Sequence, residues 1–156
     1  MDPAALGKLV SELLLSIHLL TGYAIPAEPP TVEFLPHAEL EERACGRPCQ
    51  VYGWFPPGQT VYLDDRLNPL VSIAARGILL HELVHFLQQE EGTFAAPADC
   101  EAWLDREREA FDVQLRWLAE QRAPLRAFSP FGKVPIRFAC AEDEVEPASH
   151  SPSSRK

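Results

Sequence analysis

The run His81-Glu82-Leu83-Val84-His85 has two histidines four residues apart, with a glutamate directly after the first. On an α-helix, residues i and i+4 lie one turn apart on the same face, so both imidazoles can point at one metal ion. Glu82 is rotated by about 100° around the helix axis, beside a water activated by the ion but outside the ligand positions. A glutamate there is suited to accept a proton from that water. The pattern therefore predicts a zinc-dependent hydrolase with His81 and His85 as metal ligands and Glu82 as the catalytic general base.

A third protein ligand is expected, because a catalytic zinc ion takes three and leaves one position for water. The helix predicted after the histidines offers Glu101, Glu107 and Glu109. Glu107 is preferred, because it falls inside an apolar stripe where a buried charge needs a partner. Glu109 is predicted to lie on the solvated face, and Glu101 lies near the helix start, where the helix dipole favours an acid. Glu101, Glu109 and Asp112 remain alternatives, as does a site with no third protein ligand. The predicted stripe consists of Cys100, Trp103, Leu104, Ala110, Phe111, Leu115 and Leu118.

These two segments carry a resemblance to a known group of enzymes. The motif at 81–85, followed on the next helix by a glutamate upstream of Ala-Phe at 107–111, resembles the gluzincin arrangement of zinc metallopeptidases. More narrowly, the chain is similar to small, largely uncharacterised bacterial HExxH proteins that are often exported. It also resembles metallopeptidase domains found beside bacterial toxins. The similarity covers roughly residues 45 to 118, and the two helices are its most specific part.

The resemblance implies zinc bound by His81, His85 and Glu107, with Glu82 as general base in the cleavage of a peptide or protein substrate. At Phe111 related chains often have a polar residue or tyrosine, which predicts that a hydrogen-bond partner of a zinc histidine is missing here. The resemblance also implies that the strand before the HExxH helix can be a sheet edge that pairs with an extended peptide. Thr60–Leu63 fits that position, and an ordinary hairpin strand is an equal alternative. Donors for the reaction's oxyanion remain open among Tyr62, Tyr52, His37 and Arg137.

The elements that must position this site predict an α+β domain with a small three-stranded sheet. The first elements are a helix that begins at Asp2-Pro3 and ends at Gly22, a strand at Thr31–Leu35, one or two helical turns at His37–Arg43, and a hairpin of Val51–Phe55 with Thr60–Leu63. They are followed by the HExxH helix from Asn68-Pro69 to Glu91, a long helix capped by Asp99 that runs from Cys100 to about Arg122, and an extended segment at Val134–Cys140. Cap residues, helical apolar spacing and Pro/Gly turns are the basis for these bounds.

Length and charge limit the class of protein. The 156 residues suit one domain, predicted for residues 1–140, with a disordered tail of acidic, serine and proline residues at 141–156. The formal net charge of −9 argues against a nucleic-acid partner, because a phosphate backbone needs a basic surface. We expect no stretch long and apolar enough to cross a bilayer. The apolar run Leu13–Leu20 lacks a basic segment before it and has helical spacing, which favours a place in the fold over a signal peptide.

The four cysteines allow three pairings. We predict the disulfides Cys45–Cys49, which closes a Gly/Pro turn, and Cys100–Cys140. Disulfides indicate an oxidising compartment, so a periplasmic or secreted protein is expected, and four reduced thiols in the cytoplasm are the alternative. The alternative to a hydrolase is a zinc-stabilised binding or regulatory module without turnover, and a structural protein without metal is a third possibility.

Overall fold

The computed structural model describes residues 1–93 and 100–124 of the chain. Its elements, in chain order, are α1 (Pro3–Thr21), β1 (Thr31–Leu35), α2 (His37–Cys45), β2 (Gly53–Trp54), β3 (Thr60–Asp64), α3 (Ile73–Glu90) and α4 (Cys100–Glu120). The predicted α+β class, with an N-terminal helix, a three-stranded sheet and two long helices after it, is confirmed. The predicted cap Asp99, the extended segment at 134–140 and the tail at 141–156 lie outside the described residues.

Helix α3 is the centre of the fold, and every residue from Gly77 to Gln88 is buried. Helices α1 and α4 and strands β2 and β3 all pack against it. No side of the helix faces solvent along this stretch, so His81, Glu82 and His85 lie in the interior. The face of α1 that packs into this core consists of Leu9, Val10, Leu13, Leu14 and Ile17.

The start of α3 differs from the prediction. The helix begins at Ile73, and the hydroxyl of Ser72 caps its first turn. Asn68-Pro69 instead forms a preceding turn, in which the Asn68 side chain accepts a hydrogen bond from the backbone N–H of Leu70 at 3.1 Å. Arg76 holds this turn against the helix by donating to the carbonyl oxygens of Pro69 and Leu70 at 2.6 and 2.7 Å. Asn68 and Ser72 are both residue types that cap helices. The hydrogen bonds of Asn68 and Arg76 hold residues 68–70 in a turn, so the helix begins after Ser72.

The sheet has the strand order β1-β3-β2. Strand β1 pairs in parallel with β3, with Thr31 opposite Thr60, and β2 pairs antiparallel with β3, with Gly53 opposite Leu63. The predicted hairpin of the second and third strands is therefore confirmed. Of the two alternatives for Thr60–Leu63, the sheet edge is excluded, because β3 is the central strand with a partner on each side, and the ordinary hairpin strand agrees with the pairing of β2 and β3.

The turn of the hairpin is attached to the end of α3. The backbone N–H of Gly58 donates to the side-chain oxygen of Gln89 at 2.7 Å, and the amide nitrogen of Gln89 donates back to the Gly58 carbonyl at 3.0 Å. Gly58 has φ 147°, a conformation that favours glycine. Through these two bonds the hairpin is held over α3, which places β2 beside the HExxH residues.

The sulfur atoms of Cys45 and Cys49 form a disulfide between the end of α2 and the loop before β2, at an S–S distance of 2.11 Å. The first predicted pairing is thereby confirmed. A disulfide is compatible with an oxidising, extracellular compartment. The second predicted pairing includes Cys140, which lies outside the described residues.

Helix α1 changes one expectation from the sequence. Pro3–Thr21 is long and apolar enough to cross a membrane by length and composition, so the expectation that no stretch reaches this limit is wrong. Core helices of soluble proteins and signal sequences meet the same criterion. One face of α1 contributes to the core against α3 and α4, as predicted. Leu15 and Leu19, on its other side, are exposed.

Candidate metal centre

Three side chains from two helices converge between α3 and α4. His81 and His85 project from the same face of α3, and their Nε2 atoms are 3.2 Å apart. Glu107 reaches them from α4, with one carboxylate oxygen 3.4 Å from Nε2 of His81 and the other 3.2 Å from Nε2 of His85. One ligand atom from each residue can be chosen so that all three lie within 4.8 Å of one another. These three residues form a group that can hold a metal ion.

The packing of α4 brings Glu107 to the histidines. The buried residues of this helix recur at three and four, and they are Arg106, Ala110, Val113, Gln114, Trp117 and Leu118. The predicted stripe is displaced from this set, because Trp103 is 36% exposed and Leu115 is 42% exposed. Glu107 is next to the buried stripe on the side that faces α3. The preference for Glu107 over the other acids agrees with this geometry.

The alternative ligands do not join the group. Glu101 and Asp112 are exposed on α4. Glu109 was expected on the solvated face, and this expectation is wrong: it is half-buried, and its carboxylate accepts hydrogen bonds from the Tyr23 hydroxyl at 2.7 and 2.8 Å. It also accepts one from the amide nitrogen of Gln88 at 2.8 Å. Sequence periodicity missed this role because the partners of Glu109 come from α3 and from the connector after α1.

Each histidine has a glutamine on the nitrogen that faces away from Glu107. Nδ1 of His85 is 2.8 Å from the side-chain oxygen of Gln88, and Nδ1 of His81 is 3.2 Å from that of Gln114. An amide oxygen only accepts hydrogen bonds, so in this arrangement the contacts favour the tautomers with the proton on Nδ1, which leave Nε2 free to bind a metal ion. A hydrogen-bond partner of a histidine was expected to be missing at Phe111, and Gln114 of the same helix supplies one to His81 instead. The Phe111 ring packs on the His81 ring, with centroids 4.5 Å apart.

Burial, hydrogen bonds and charge shift the pKa values of Glu107 and His85. Burial by itself would raise the pKa of Glu107, but hydrogen bonds and charge from His81 and His85 outweigh it and hold that pKa well below its usual range. Burial would lower the pKa of His85, but its hydrogen bond to the Glu107 carboxylate and the charge of the nearby Glu82 outweigh this effect and raise that pKa. The contacts between the two residues therefore shift their pKa values in opposite directions, which favours a negative carboxylate at Glu107 and a positive charge at His85.

Glu82 lies next to the group but faces β2. Burial raises the pKa of its carboxyl group, and the positive charges of His81 and His85 oppose this effect only in part. The backbone N–H of Phe55 donates a hydrogen bond to the carboxylate. Glu82 thus has a fixed orientation outside the three-residue group, as the position after the first histidine predicts.

Gly53 is a site residue that the sequence did not indicate. A Cβ atom at this position would lie 2.7 Å from a carboxylate oxygen of Glu82, 2.8 Å from its Cγ and 2.9 Å from Cγ2 of Ile78. Only a residue without a side chain allows β2 to approach α3 this closely. The strand backbone, and with it the N–H of Phe55, can then contact the glutamate.

Replacing Gly53 with alanine is expected to lower the free energy of unfolding by about 1–3 kcal/mol, because the added methyl group overpacks a buried contact. Urea denaturation of the purified proteins measures the difference. Gly7→Ala is the control, since a Cβ at Gly7 meets no atom within 4 Å and alanine is the better helix former by about 1 kcal/mol. A Gly53→Ala protein as stable as the wild type would contradict the close approach of β2 to Glu82.

Three of the four residues considered as oxyanion donors belong to the described part of the chain. All three lie away from His81, His85 and Glu107. Tyr62 alternates along β3 with the buried Val61 and Leu63, so it occupies the opposite face of the sheet, where it stacks on Trp54. His37 stacks on Tyr52, and its Nδ1 is 2.7 Å from the buried carboxylate of Asp64. Arg137 lies outside the described residues. None of the three described candidates contacts the His81, His85 and Glu107 group.

Comparison with known proteins adds no relative. No protein-family model, curated protein or solved structure matches the chain. The support for a metal centre is therefore the HExxH spacing together with the position of Glu107. Both are properties of residues that the structure describes.

Proposed function

We propose that this protein is a zinc-dependent hydrolase that cleaves peptide or protein substrates. In this proposal His81, His85 and Glu107 hold the zinc ion and Glu82 is the general base. One observation carries the proposal: a glutamate from a separate helix meets the two histidines, while the glutamate between them stays outside the group and faces β2. Ligand and base are thus assigned to different carboxylates.

The donor set supports zinc. Two imidazole nitrogens and one carboxylate are a ligand combination found in catalytic zinc sites, which keep a further position for water or substrate. Magnesium and calcium prefer sites built from oxygen donors, so two histidines disfavour them. The glutamine partners of the histidines add to this, because they leave the two Nε2 atoms as the metal-binding nitrogens.

A zinc ion bound there would supply Lewis acidity, which polarises a carbonyl and acidifies water. The contribution of the chain is to place the base. The Glu82 carboxylate accepts the proton of the attacking water and can return it to the leaving amine. The Phe55 N–H orients that carboxylate, and Gly53 leaves room for it. The packing of β2 on α3 therefore determines where the proton is received.

A second candidate is a zinc-stabilised binding or regulatory module without turnover. The observation that favours it is the burial of the ligands: the side chains of His81, His85 and Glu107 are only 9%, 10% and 18% exposed. Structural zinc sites are closed, whereas catalytic sites keep an accessible position. In this alternative the ion joins α3 to α4 and Glu82 has no proton to accept.

Zinc stoichiometry and peptide cleavage test the two candidates together. Purified protein, loaded with zinc and desalted, is expected to contain about one zinc per chain, measured by inductively coupled plasma mass spectrometry. A peptide-library digest with and without chelator then separates the candidates, because only the hydrolase gives chelator-sensitive products. Protein that stays metal-free after loading would exclude both candidates.

The compartment is the second part of the proposal. A periplasmic or secreted location agrees with the Cys45–Cys49 disulfide, because a reducing cytosol opposes such bonds. We expect neither a nucleic-acid partner, given the net charge of −9, nor insertion in a membrane, given the packing of α1 against α3 and α4.

A further inference from the structure

A chain of hydrogen bonds leads from His85 away from the metal centre. Nδ1 of His85 bonds the side-chain oxygen of Gln88 at 2.8 Å. The amide nitrogen of Gln88 donates to the carboxylate of Glu109 at 2.8 Å, and the same carboxylate accepts from the hydroxyl of Tyr23. The chain thus joins α3, α4 and the connector between α1 and β1. The proposed chemistry uses neither Glu109 nor Tyr23.

The amide of Gln88 can take only one orientation in this chain. Gln88 is fully buried, and its amide nitrogen donates to the backbone carbonyl of Arg106 at 3.0 Å as well as to Glu109. Rotating the amide by 180° would place its oxygen against that carbonyl and the Glu109 carboxylate, and its N–H groups against the Nδ1–H of His85. Each of these contacts would be repulsive, and no buried group would regain a partner.

The glutamine beside the other histidine is held less firmly. Gln114 accepts from His81 through its oxygen, but its buried amide nitrogen has no hydrogen-bond partner within the described ranges. Rotating the Gln114 amide by 180° would therefore break no hydrogen bond of its nitrogen among those residues. The same rotation of the Gln88 amide would break its bond to Glu109 and place its oxygen against that carboxylate. The difference between the two glutamines identifies Glu109 as the residue that orients the His85 side of the group.

Tyr23 holds Glu109 in place from the other side. Its hydroxyl lies 2.7 and 2.8 Å from the two carboxylate oxygens. Its own backbone carbonyl is 2.7 Å from Nδ1 of His18, and the N–H of the next residue, Ala24, donates to the side chain of Glu91 at 3.1 Å. The tyrosine is thereby fixed between α1 and the end of α3. A half-buried carboxylate with these donors has little freedom to rotate.

We infer that Glu109, supported by Tyr23, is a positioning residue of the metal centre that acts through Gln88. It keeps the Gln88 oxygen on Nδ1 of His85, so that Nε2 of His85 faces Glu107 and the metal position. This inference rests on the proposed metal centre and assigns Glu109 no contact with the ion or the substrate. Loss of such outer partners typically weakens metal binding by about 10–100-fold.

Zinc affinity, measured by competition with a chromophoric chelator, tests this role. Glu109→Ala is expected to bind zinc about 10–100-fold more weakly than the wild type. Glu109→Gln should recover part of the loss, because its amide oxygen can still accept from Gln88. Tyr23→Phe removes only one hydroxyl and should lose affinity in the same direction, by less. Asp112→Ala is the matched control, an exposed acid of the same helix, and should bind zinc like the wild type.

Two further measurements separate positioning from general stability. The absorption spectrum of the cobalt-substituted protein should change in Glu109→Ala and not in Asp112→Ala, because it reports the geometry around the ion. The melting temperature of the metal-free proteins records any loss of packing. A Glu109→Ala protein that melts lower but keeps wild-type zinc affinity and cobalt spectrum would overturn the inference. If Glu109→Ala does not fold, Tyr23→Phe decides, and unchanged zinc affinity there overturns it. Failure of the wild type itself to bind zinc would instead reject the proposed function.

Discussion

Replacing Glu82 with glutamine is expected to reduce hydrolysis by about 10²-fold or more while zinc remains bound. Glutamine has nearly the same shape as glutamate but cannot accept the proton of the attacking water. The ligand set of His81, His85 and Glu107 is unchanged by this substitution, so zinc stoichiometry should stay at the wild-type value. Initial rates on a peptide found in the library digest, with zinc content measured on the same samples, give both quantities.

Glu90→Gln is the matched control for this substitution. Glu90 is an exposed glutamate at the end of the same helix, so its variant should keep wild-type activity. A Glu82→Gln protein as active as the wild type would reject Glu82 as the general base, and with it the proposed mechanism of hydrolysis. If the wild type and both variants, Glu82→Gln and Glu90→Gln, bind zinc but none of them cleaves any peptide, the zinc-stabilised binding module becomes the better description.

Replacing Glu107 with glutamine is expected to weaken zinc binding and hydrolysis together, because the ion loses an anionic donor. The effect should also appear in stability. At free zinc about 100 times its dissociation constant, binding stabilises the folded state by about 2.7 kcal/mol, and a variant that no longer binds at that concentration loses this contribution. Chelator should therefore lower the melting temperature of wild type and Glu82→Gln alike, and shift that of Glu107→Gln much less.

Glu101→Gln tests whether the assignment of the third ligand is correct. Glu101 is an exposed acid near the start of the same helix, and its variant should respond to chelator like the wild type. If Glu101→Gln loses zinc while Glu107→Gln keeps it, the ligand assignment is wrong and the hydrolase proposal remains. Taken together, the Glu82 and Glu107 variants separate loss of proton transfer from loss of the ion.

Local interactions explain what the sequence by itself determined. The spacing of His81 and His85 places both on one helix face, because four residues make about one turn. The caps at Asp2 and Gly22 bound α1 as predicted, and Gly22 adopts φ 82°, a conformation that favours glycine at a helix end. The hairpin and the Cys45–Cys49 disulfide also join segments close in the chain. In each case the partners are few residues apart, so residue types and spacing were sufficient.

Only the tertiary structure decided which distant residues complete the site. Periodicity on α4 favoured Glu107 but placed Glu109 in solvent. Apolar spacing along one helix does not show where α3 and the α1–β1 connector pack against it. Gly53 and Gln88 carried no signal of their own, since their roles arise where β2 and α4 pack against α3. The stretch of α3 from Gly77 to Gln88 is buried on all sides and gives no contrast between its faces, so its partners cannot be inferred from its pattern. Packing between elements, which no local spacing encodes, made these assignments.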